Sequence, residues 1–122
     1  MQQENSLESD QILDLDILTQ YTQAIGNDVL LISVNVFEQQ YPQYVAELLA
    51  FQSAADHKEV AAQGHKMKGA AGAIGLHRLA NWAQIIQHSE AESWNTTYPQ
   101  AIELIEQYYQ SDIDALKRFL QA

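Results

Sequence analysis

Apolar residues recur at intervals of three and four positions in five separate stretches of this 122-residue chain. That spacing places them on one face of an α-helix, whereas no stretch shows the sustained alternation of a half-buried β-strand. The loops between the five stretches are short. The pattern therefore predicts an all-α fold, an antiparallel four-helix bundle with a short additional N-terminal helix.

Capping residues and a proline mark the first two helices. The first helix begins near Asp14 and ends at Gly26, which has the position of a C-cap glycine. Asn27 or Asp28 then caps a long second helix. Pro42 lies inside this helix and is expected to kink it without dividing it, because the apolar face continues across the proline.

The later helix boundaries have similar signals. Asp56 is a suitable N-cap for the third helix, with Glu59 at the capping-box position, and Gly75 closes that helix. The fourth helix follows directly. A polar, turn-like segment then leads to the last helix, which Thr96 or Thr97 is expected to cap.

Length and composition limit the domain organisation and the partners. The chain is long enough for one domain, which we place at residues 11–122 after a disordered acidic tail of residues 1–10. The net charge of −10 argues against nucleic acid and anionic membranes as partners. The start lacks the pattern of a signal peptide, and no apolar run approaches the roughly 20 residues of a membrane span. We expect a cytoplasmic monomer.

Four of the five glycines fall in one short stretch of the third helix, GHKMKGAAGAIG, residues 64–75. Glycine inside a helix costs about 1 kcal/mol relative to alanine, so the cluster requires another explanation. At about 100° per residue, His65 points roughly 140° away from the apolar face and therefore into solvent. Gly69 and Gly72 share its face, whereas Gly64 lies on the packing side and Gly75 ends the helix.

The surroundings of His65 indicate which chemistry is available. Lys68 lies one turn away, and Lys58 is almost eclipsed with His65 two turns earlier. Residues 57–89 hold four basic residues and one acid, a local excess of positive charge that suits an anionic target. The stretch has no serine or cysteine nucleophile, and one histidine cannot hold a metal. The imidazole itself is then the candidate nucleophile, with Lys68 balancing a phosphoryl group bound to it.

These residues resemble a known family. The run His65-Lys66-Met67-Lys68-Gly69-Ala70 is similar to the His-x-apolar-Lys-Gly-small motif of histidine-containing phosphotransfer (HPt) domains. The resemblance extends from about residue 13 to residue 87 and includes Ile25-Gly26-Asn27-Asp28 before the long helix. Gly64 stands where alanine is commoner in the family, a difference expected to matter little.

The resemblance implies a function and a set of roles. A histidine in such a domain takes a phosphoryl group from the aspartate of one receiver domain and passes it to another, reversibly. His65 matches the phosphorylated histidine, Lys68 the stabilising lysine and Gly69 the glycine that gives clearance. A glutamine on the next helix orients the imidazole; Gln87 fits by spacing, with Gln84 as the alternative.

The same resemblance implies the partners and cofactors. The partners would be receiver domains of response regulators and of a hybrid sensor kinase, and the receiver would supply Mg²⁺, so the chain needs no cofactor of its own. It would be a phosphoryl carrier without a kinase domain. The expected docking surface comprises Lys58, Ala61, Ala62, Lys66 and Gly72. Tyr21, together with Val29 or Leu30, is a further candidate for an apolar part of that surface.

Two other interpretations remain open from the sequence. The chain could be an adaptor that binds receivers without accepting phosphate, or an unrelated bundle with an incidental histidine. An adaptor has no need of the nucleophile, so the complete His-Lys-Gly motif argues against it. The initial Met1 and the acidic tail favour a freestanding protein over an excised module. His57, His77 and His88 are expected to be structural or solvent-exposed.

Overall fold

Five α-helices form the fold in the computed structural model, which describes residues 6–8 and 11–122. They are α1 (Leu15–Ile25), α2 (Asn27–Ser53), α3 (His57–Ala73), α4 (His77–Gln87) and α5 (Trp94–Gln121). No strand occurs within those two ranges. The all-α prediction is therefore confirmed, including the short first helix.

Helices α2, α3, α4 and α5 form the four-helix bundle. Each packs against its two neighbours in the order α2, α3, α4, α5 and back to α2, and α1 packs against α2. The antiparallel arrangement of α2 and α5 is visible in two polar contacts. The Asn27 side-chain amide donates to the Leu120 carbonyl over 2.9 Å, and Glu38, later on α2, is paired with Lys117, earlier on α5.

The bundle core consists of long apolar side chains contributed by all four helices. Leu48, Met67, Ile86 and Leu116 are each fully buried. Tyr41 is also fully buried, and its ring stacks on Phe37 at a centroid distance of 4.5 Å. Its hydroxyl oxygen has no hydrogen-bond partner among the described residues, and burial raises the pKa of the Tyr41 phenol above its usual range.

A buried ion pair links α4 to α5. Asp112 is fully buried, and Arg78 donates to both its carboxylate oxygens, from Nε to Oδ2 over 3.1 Å and from Nη2 to Oδ1 over 2.5 Å. The guanidinium also lies 5.1 Å from the ring centroid of Trp82 and 4.7 Å from that of Tyr108. This geometry satisfies the buried carboxylate and fixes α4 against α5.

The capping predictions are partly confirmed. The Asp56 side chain accepts from the Glu59 backbone N–H over 3.2 Å and caps α3 as predicted. The Asp14 side chain, which was not predicted as a cap, accepts from the Ile17 backbone N–H over 3.1 Å and caps α1. Gly26, at φ 86°, is the N-cap of α2, so the prediction of a cap at Asn27 or Asp28 is wrong. The Asn27 amide is instead bonded to the end of α5.

The last helix begins earlier than the sequence predicted. Ser93 is the N-cap of α5 and Trp94 its first residue, so neither Thr96 nor Thr97 is the cap. Trp94 is buried, and its indole Nε1 donates to the Ile86 carbonyl over 2.8 Å. That contact joins the first turn of α5 to the last turn of α4 and explains the earlier start.

Part of the N-terminal segment lies on α4. The Asn81 amide donates to the Ser6 carbonyl over 2.7 Å, and the Trp82 indole donates to the Leu7 carbonyl over 2.8 Å. The sequence predicted a disordered tail over residues 1–10, and residues 6–8 instead have these fixed partners. The other residues of that tail lie outside the described ones. Within the described ranges, no helix has the length and apolarity that crossing a bilayer requires.

Candidate functional site

Helix α3 presents His65 to solvent. Four residues of this helix form its buried apolar side: Val60, Gly64, Met67 and Ala71. His65, Lys66, Lys68 and Gly69 are all exposed, as the helical spacing predicted. The imidazole therefore lies on an open surface of the bundle, on a helix whose opposite side is fixed in the core.

Gly64 is the position at which α3 comes closest to α4. A β-carbon built on Gly64 would lie 2.8 Å from the backbone nitrogen of Gln87, 2.8 Å from Ile86 Cγ2 and 3.0 Å from the Ala83 carbonyl oxygen. Real β-carbons essentially never approach backbone atoms so closely. The expectation that glycine or alanine at this position matters little therefore does not hold for this packing.

Gly69 and Gly72 have different surroundings. A β-carbon on Gly69 would meet nothing within 4 Å, whereas one on Gly72 would lie 3.9 Å from the β-carbon of Ala80. Folding therefore does not require glycine at either position. The open space around Gly69 is consistent with the clearance that the motif implies, while Gly72 lies at the edge of the contact with α4.

Two glutamine side chains of α4 have unused acceptors near this surface. The Oε1 atoms of Gln84 and Gln87 are both buried, and neither has a hydrogen-bond partner among the described residues. The backbone nitrogen of Gln87 lies against Gly64, the residue that precedes the histidine. A buried carbonyl oxygen without a donor is costly, so each of these groups is available to a nearby N–H.

The lysines near His65 differ in their contacts. Lys66 Nζ lies 5.6 Å from the ring centroid of Tyr44, so this side chain is directed towards α2. Lys68 is exposed and has no ion pair within the described part of the chain. Its charge is therefore available to an anion bound at His65.

The predicted docking residues at the start of α3 line a groove. Lys58 and Ala61 form one wall of a groove of about 410 Å³, together with His57, Ser89, Trp94 and Asn95. His57 is held there by ring contacts with Trp94 at 5.4 Å and Tyr98 at 5.9 Å. Ala62 is exposed outside this groove. His57 is thus a packed surface residue, as expected.

An apolar surface on α1 and α2 was mostly missed by the sequence analysis. Val29, Ile32 and Val36 are 48, 64 and 48% exposed and form a stripe along α2, and Leu15 and Ile25 of α1 are also about half exposed. Val29 was a sequence-based candidate, but Leu30 is only 4% exposed and belongs to the core. Tyr21 is partly buried against the core. The helical spacing 29, 32, 36 was the available signal.

The remaining histidines lie away from His65. His77 is exposed at the start of α4, and His88, the C-cap of α4, lies 3.5 Å from Glu90 Oε1. Within residues 6–8 and 11–122, no three histidine or acidic side chains are grouped in a way that could hold a metal ion.

Comparisons with a family model and with known sequences identify the same type of domain. The model of the Hpt domain family matches residues 33–119. The aerobic respiration control sensor proteins ArcB of Escherichia coli (strain K12) and Shigella flexneri are each 34% identical to the chain over 118 residues, which is 97% of the chain. The chain spans only 15% of the length of these curated relatives.

Solved structures resemble the fold closely. The histidine-containing phosphotransfer domain of ArcB from Escherichia coli superposes with a TM-score of 0.88 at 33% identity, covering 90% of this chain and 93% of that one. A solution structure of the same ArcB domain gives a TM-score of 0.83, again at 33% identity, with coverages of 93% and 90%. The bundle and its helix order are therefore shared with that domain.

Proposed function

The chain belongs to the Hpt domain family, and from this premise we propose that His65 is its phosphoryl-accepting residue in a two-component phosphorelay. The single observation that carries the assignment to His65 is its position. It is an exposed imidazole on α3, flanked by the exposed Lys68 and by the open space over Gly69. None of His57, His77 and His88 is followed by a lysine three positions later and a glycine four positions later.

The proposed reaction moves a phosphoryl group between a carboxylate and an imidazole. The unprotonated ring nitrogen of neutral His65 attacks the phosphorus of an aspartyl-phosphate on a receiver domain. A P–N bond forms, the P–O bond to the aspartate breaks, and the aspartate leaves as a carboxylate. Attack by the aspartate of a second receiver reverses these steps and regenerates neutral His65. Little else is required of the bundle, because phosphoryl transfer depends mainly on positioning and charge stabilisation.

The second ring nitrogen of His65 keeps its proton throughout. We assign the acceptor for that proton to Gln87 Oε1, which is buried and has no partner among the described residues. The backbone of Gln87 lies against Gly64, the residue before the histidine. A hydrogen bond there fixes the tautomer so that the free nitrogen faces the incoming phosphorus. It also stabilises the positive charge that the ring acquires when it is phosphorylated.

Lys68 and Gly69 complete the proposed site. The Lys68 ammonium would balance the charge of the bound phosphoryl group as a compact point charge. Gly69 lets the receiver's active site close over the imidazole, since a β-carbon at this position would meet nothing within 4 Å. Gly72 and Ala62 continue this small-residue surface, and Lys58, Ala61 and Lys66 border it.

The receiver would also contact the apolar stripe on α2. Val29 lies eighteen positions, or five helical turns, before Glu47, whose carboxylate accepts from Gln63 of α3 over 3.2 Å. Val29 and its neighbour Val36 therefore lie on the edge of α2 nearest α3. Exposed apolar patches of this kind mark interaction surfaces, and a receiver on the small residues of α3 would cover this one.

The proposal includes the partners that the sequence suggested. These are receiver domains of response regulators and of a hybrid sensor kinase. A receiver would supply the Mg²⁺, and the chain would supply no cofactor. The chain would act as a cytoplasmic monomer, a state that light scattering of the isolated protein would measure.

Transfer from a phosphorylated receiver tests the proposal. The protein is incubated with a receiver domain carrying a radiolabelled aspartyl-phosphate, and the label on the chain is tested for stability. Label that is lost in acid and retained in alkali is expected on the wild type and on His77→Ala, an exposed-histidine control. No such label is expected on His65→Ala.

Three results would overturn or redirect the proposal. Label retained by His65→Ala would place the phosphoryl group elsewhere. Absence of label on the wild type with every receiver, together with stable receiver binding, would make the chain an adaptor. Absence of both label and binding would favour the third interpretation, a helical bundle with an incidental histidine.

A further inference from the structure

The contact between α3 and α4 has a defined register around His65. Gly72 faces Ala80, since a β-carbon on Gly72 would lie 3.9 Å from that of Ala80. Gly64 faces the turn of α4 that ends at Gln87. Because the helices are antiparallel, one turn back along α3 from Gly72 corresponds to one turn forward along α4 from Ala80. Position 68 is therefore opposite position 84.

This register pairs two donors with two acceptors. His65 and Lys68 are three residues apart on α3, and Gln84 and Gln87 are three residues apart on α4 in the opposite direction. Both glutamine Oε1 atoms are buried without a partner among the described residues. Gln87 is opposite the imidazole, which leaves the Gln84 acceptor opposite the Lys68 ammonium.

We propose that Gln84 is a positioning residue that accepts a hydrogen bond from Lys68 Nζ and holds this ammonium beside the phosphoryl group on His65. The sequence offered Gln84 only as an alternative to Gln87 for the imidazole. In this proposal the two glutamines have different roles: Gln87 acts through His65, and Gln84 acts through Lys68. This inference rests on the proposed phosphorylation of His65.

The physical reason lies in the flexibility of lysine. A free lysine side chain loses rotamer entropy when it is ordered, so an unsupported Lys68 would meet the phosphoryl group in only a fraction of its conformations. One fixed acceptor at the helix contact restricts the ammonium while leaving its other two N–H donors for phosphoryl oxygens. Holding the charge in advance lowers the barrier to transfer in both directions.

The test is a double-mutant cycle on transfer rate. The variants are Gln84→Met, which keeps side-chain length and removes the acceptor, Lys68→Ala, and both together. We expect Gln84→Met to slow transfer from the phosphorylated receiver about five-fold, the typical net contribution of one hydrogen bond. In the Lys68→Ala background, we expect Gln84→Met to have no further effect. Gln107→Met, on the exposed face of α5, is the matched control and should leave the rate unchanged.

The outcomes separate this inference from the proposed function. An unlabelled wild-type protein contradicts the proposed function itself. A labelled wild type with unchanged transfer in Gln84→Met contradicts the inference alone. A five-fold loss that persists in the Lys68→Ala background also contradicts it, because a structural effect of Gln84 would not depend on Lys68. Circular dichroism and urea unfolding of each variant show whether it is folded.

Discussion

Gly64 lies directly against the backbone of Gln87, so that a β-carbon on Gly64 would be 2.8 Å from the Gln87 nitrogen. This close approach brings the helix carrying His65 next to the helix carrying the glutamine acceptor. The two positions are thus coupled: a change in the spacing of α3 and α4 changes the distance from the imidazole to Gln87. The packing at Gly64 therefore also affects the proposed chemistry at His65.

The first prediction compares Gly64→Ala with Gly69→Ala. The Gly64 variant forces α3 and α4 apart and should lower the free energy of unfolding by about 1 kcal/mol, because overpacking outweighs the gain in helix propensity. The β-carbon added in the Gly69 variant meets nothing within 4 Å, so the free energy of unfolding should rise by up to about 1 kcal/mol. Urea unfolding measures both values.

Transfer rates of the same pair complete that comparison. Gly69→Ala should transfer at least about ten-fold more slowly although it is more stable, because its methyl group occupies the space needed by the receiver, and ten-fold corresponds to 1.4 kcal/mol. An unchanged rate in Gly69→Ala would show that this glycine gives no clearance.

The second prediction concerns the apolar stripe on α2. Ile32→Ser should weaken receiver binding about five-fold, because Ile32 is 64% exposed and would be covered on docking. Stability should change by no more than about 0.5 kcal/mol, as for other surface substitutions. Calorimetric titration with a receiver measures the affinity, with Glu106→Ser on α5 as the control. Equal affinities for the wild type and Ile32→Ser would place the receiver elsewhere.

The third prediction concerns the buried ion pair. Arg78→Met leaves the Asp112 carboxylate buried without its partner and should cost about 3 kcal/mol of stability. Replacing both residues, with Arg78→Met and Asp112→Leu, should recover most of that loss, because no uncompensated charge remains. Chemical denaturation of the two variants gives the comparison. A double variant as unstable as the single one would contradict this account.

The fourth prediction is a pH effect at Tyr41. Its pKa is raised by burial, with a smaller contribution from Asp112, so the folded state favours the neutral phenol. In the unfolded chain the Tyr41 phenol ionises near pH 10, so the free energy of unfolding should fall as the pH rises above about 10. Tyr41→Phe should flatten this decline. It should also add about 1 kcal/mol at pH 7, since the hydroxyl oxygen has no described partner.

Unfolding curves at pH 7 and 10.5 test that effect. The difference between wild type and Tyr41→Phe should be larger at the higher pH. The same difference at both values would mean that Tyr41 titrates alike in the folded and unfolded states.

The sequence predicted the bundle because helix formation depends on local spacing. The exposure of His65 and the burial of Met67 both follow from the 3.6-residue period, which needs no knowledge of neighbouring helices. The cap at Asp56 was equally local. These features were correct because each depends on residues within one or two turns.

The errors involve contacts between distant segments. The sequence did not show that Gly64 is pressed against α4, nor that Asn27 is bonded to Leu120 instead of capping its own helix. Trp94 is the first residue of α5 because its indole donates to the Ile86 carbonyl. This tertiary contact outweighs the local capping preference of Thr96 and Thr97. Leu30 was misplaced for a related reason, since the spacing of α2 did not show which face the other helices cover.

The bond from Asn27 to the Leu120 carbonyl joins residues 93 positions apart. On a ribosome, the junction between α1 and α2 could therefore not be completed until almost the whole chain had been made. Contacts between such distant positions form late in folding, after the loops between them have closed. The contact between α3 and α4, which are adjacent in sequence, can form before the C-terminal part of the chain has been made. The surface around His65 can therefore assemble before the end of the bundle where α2 begins.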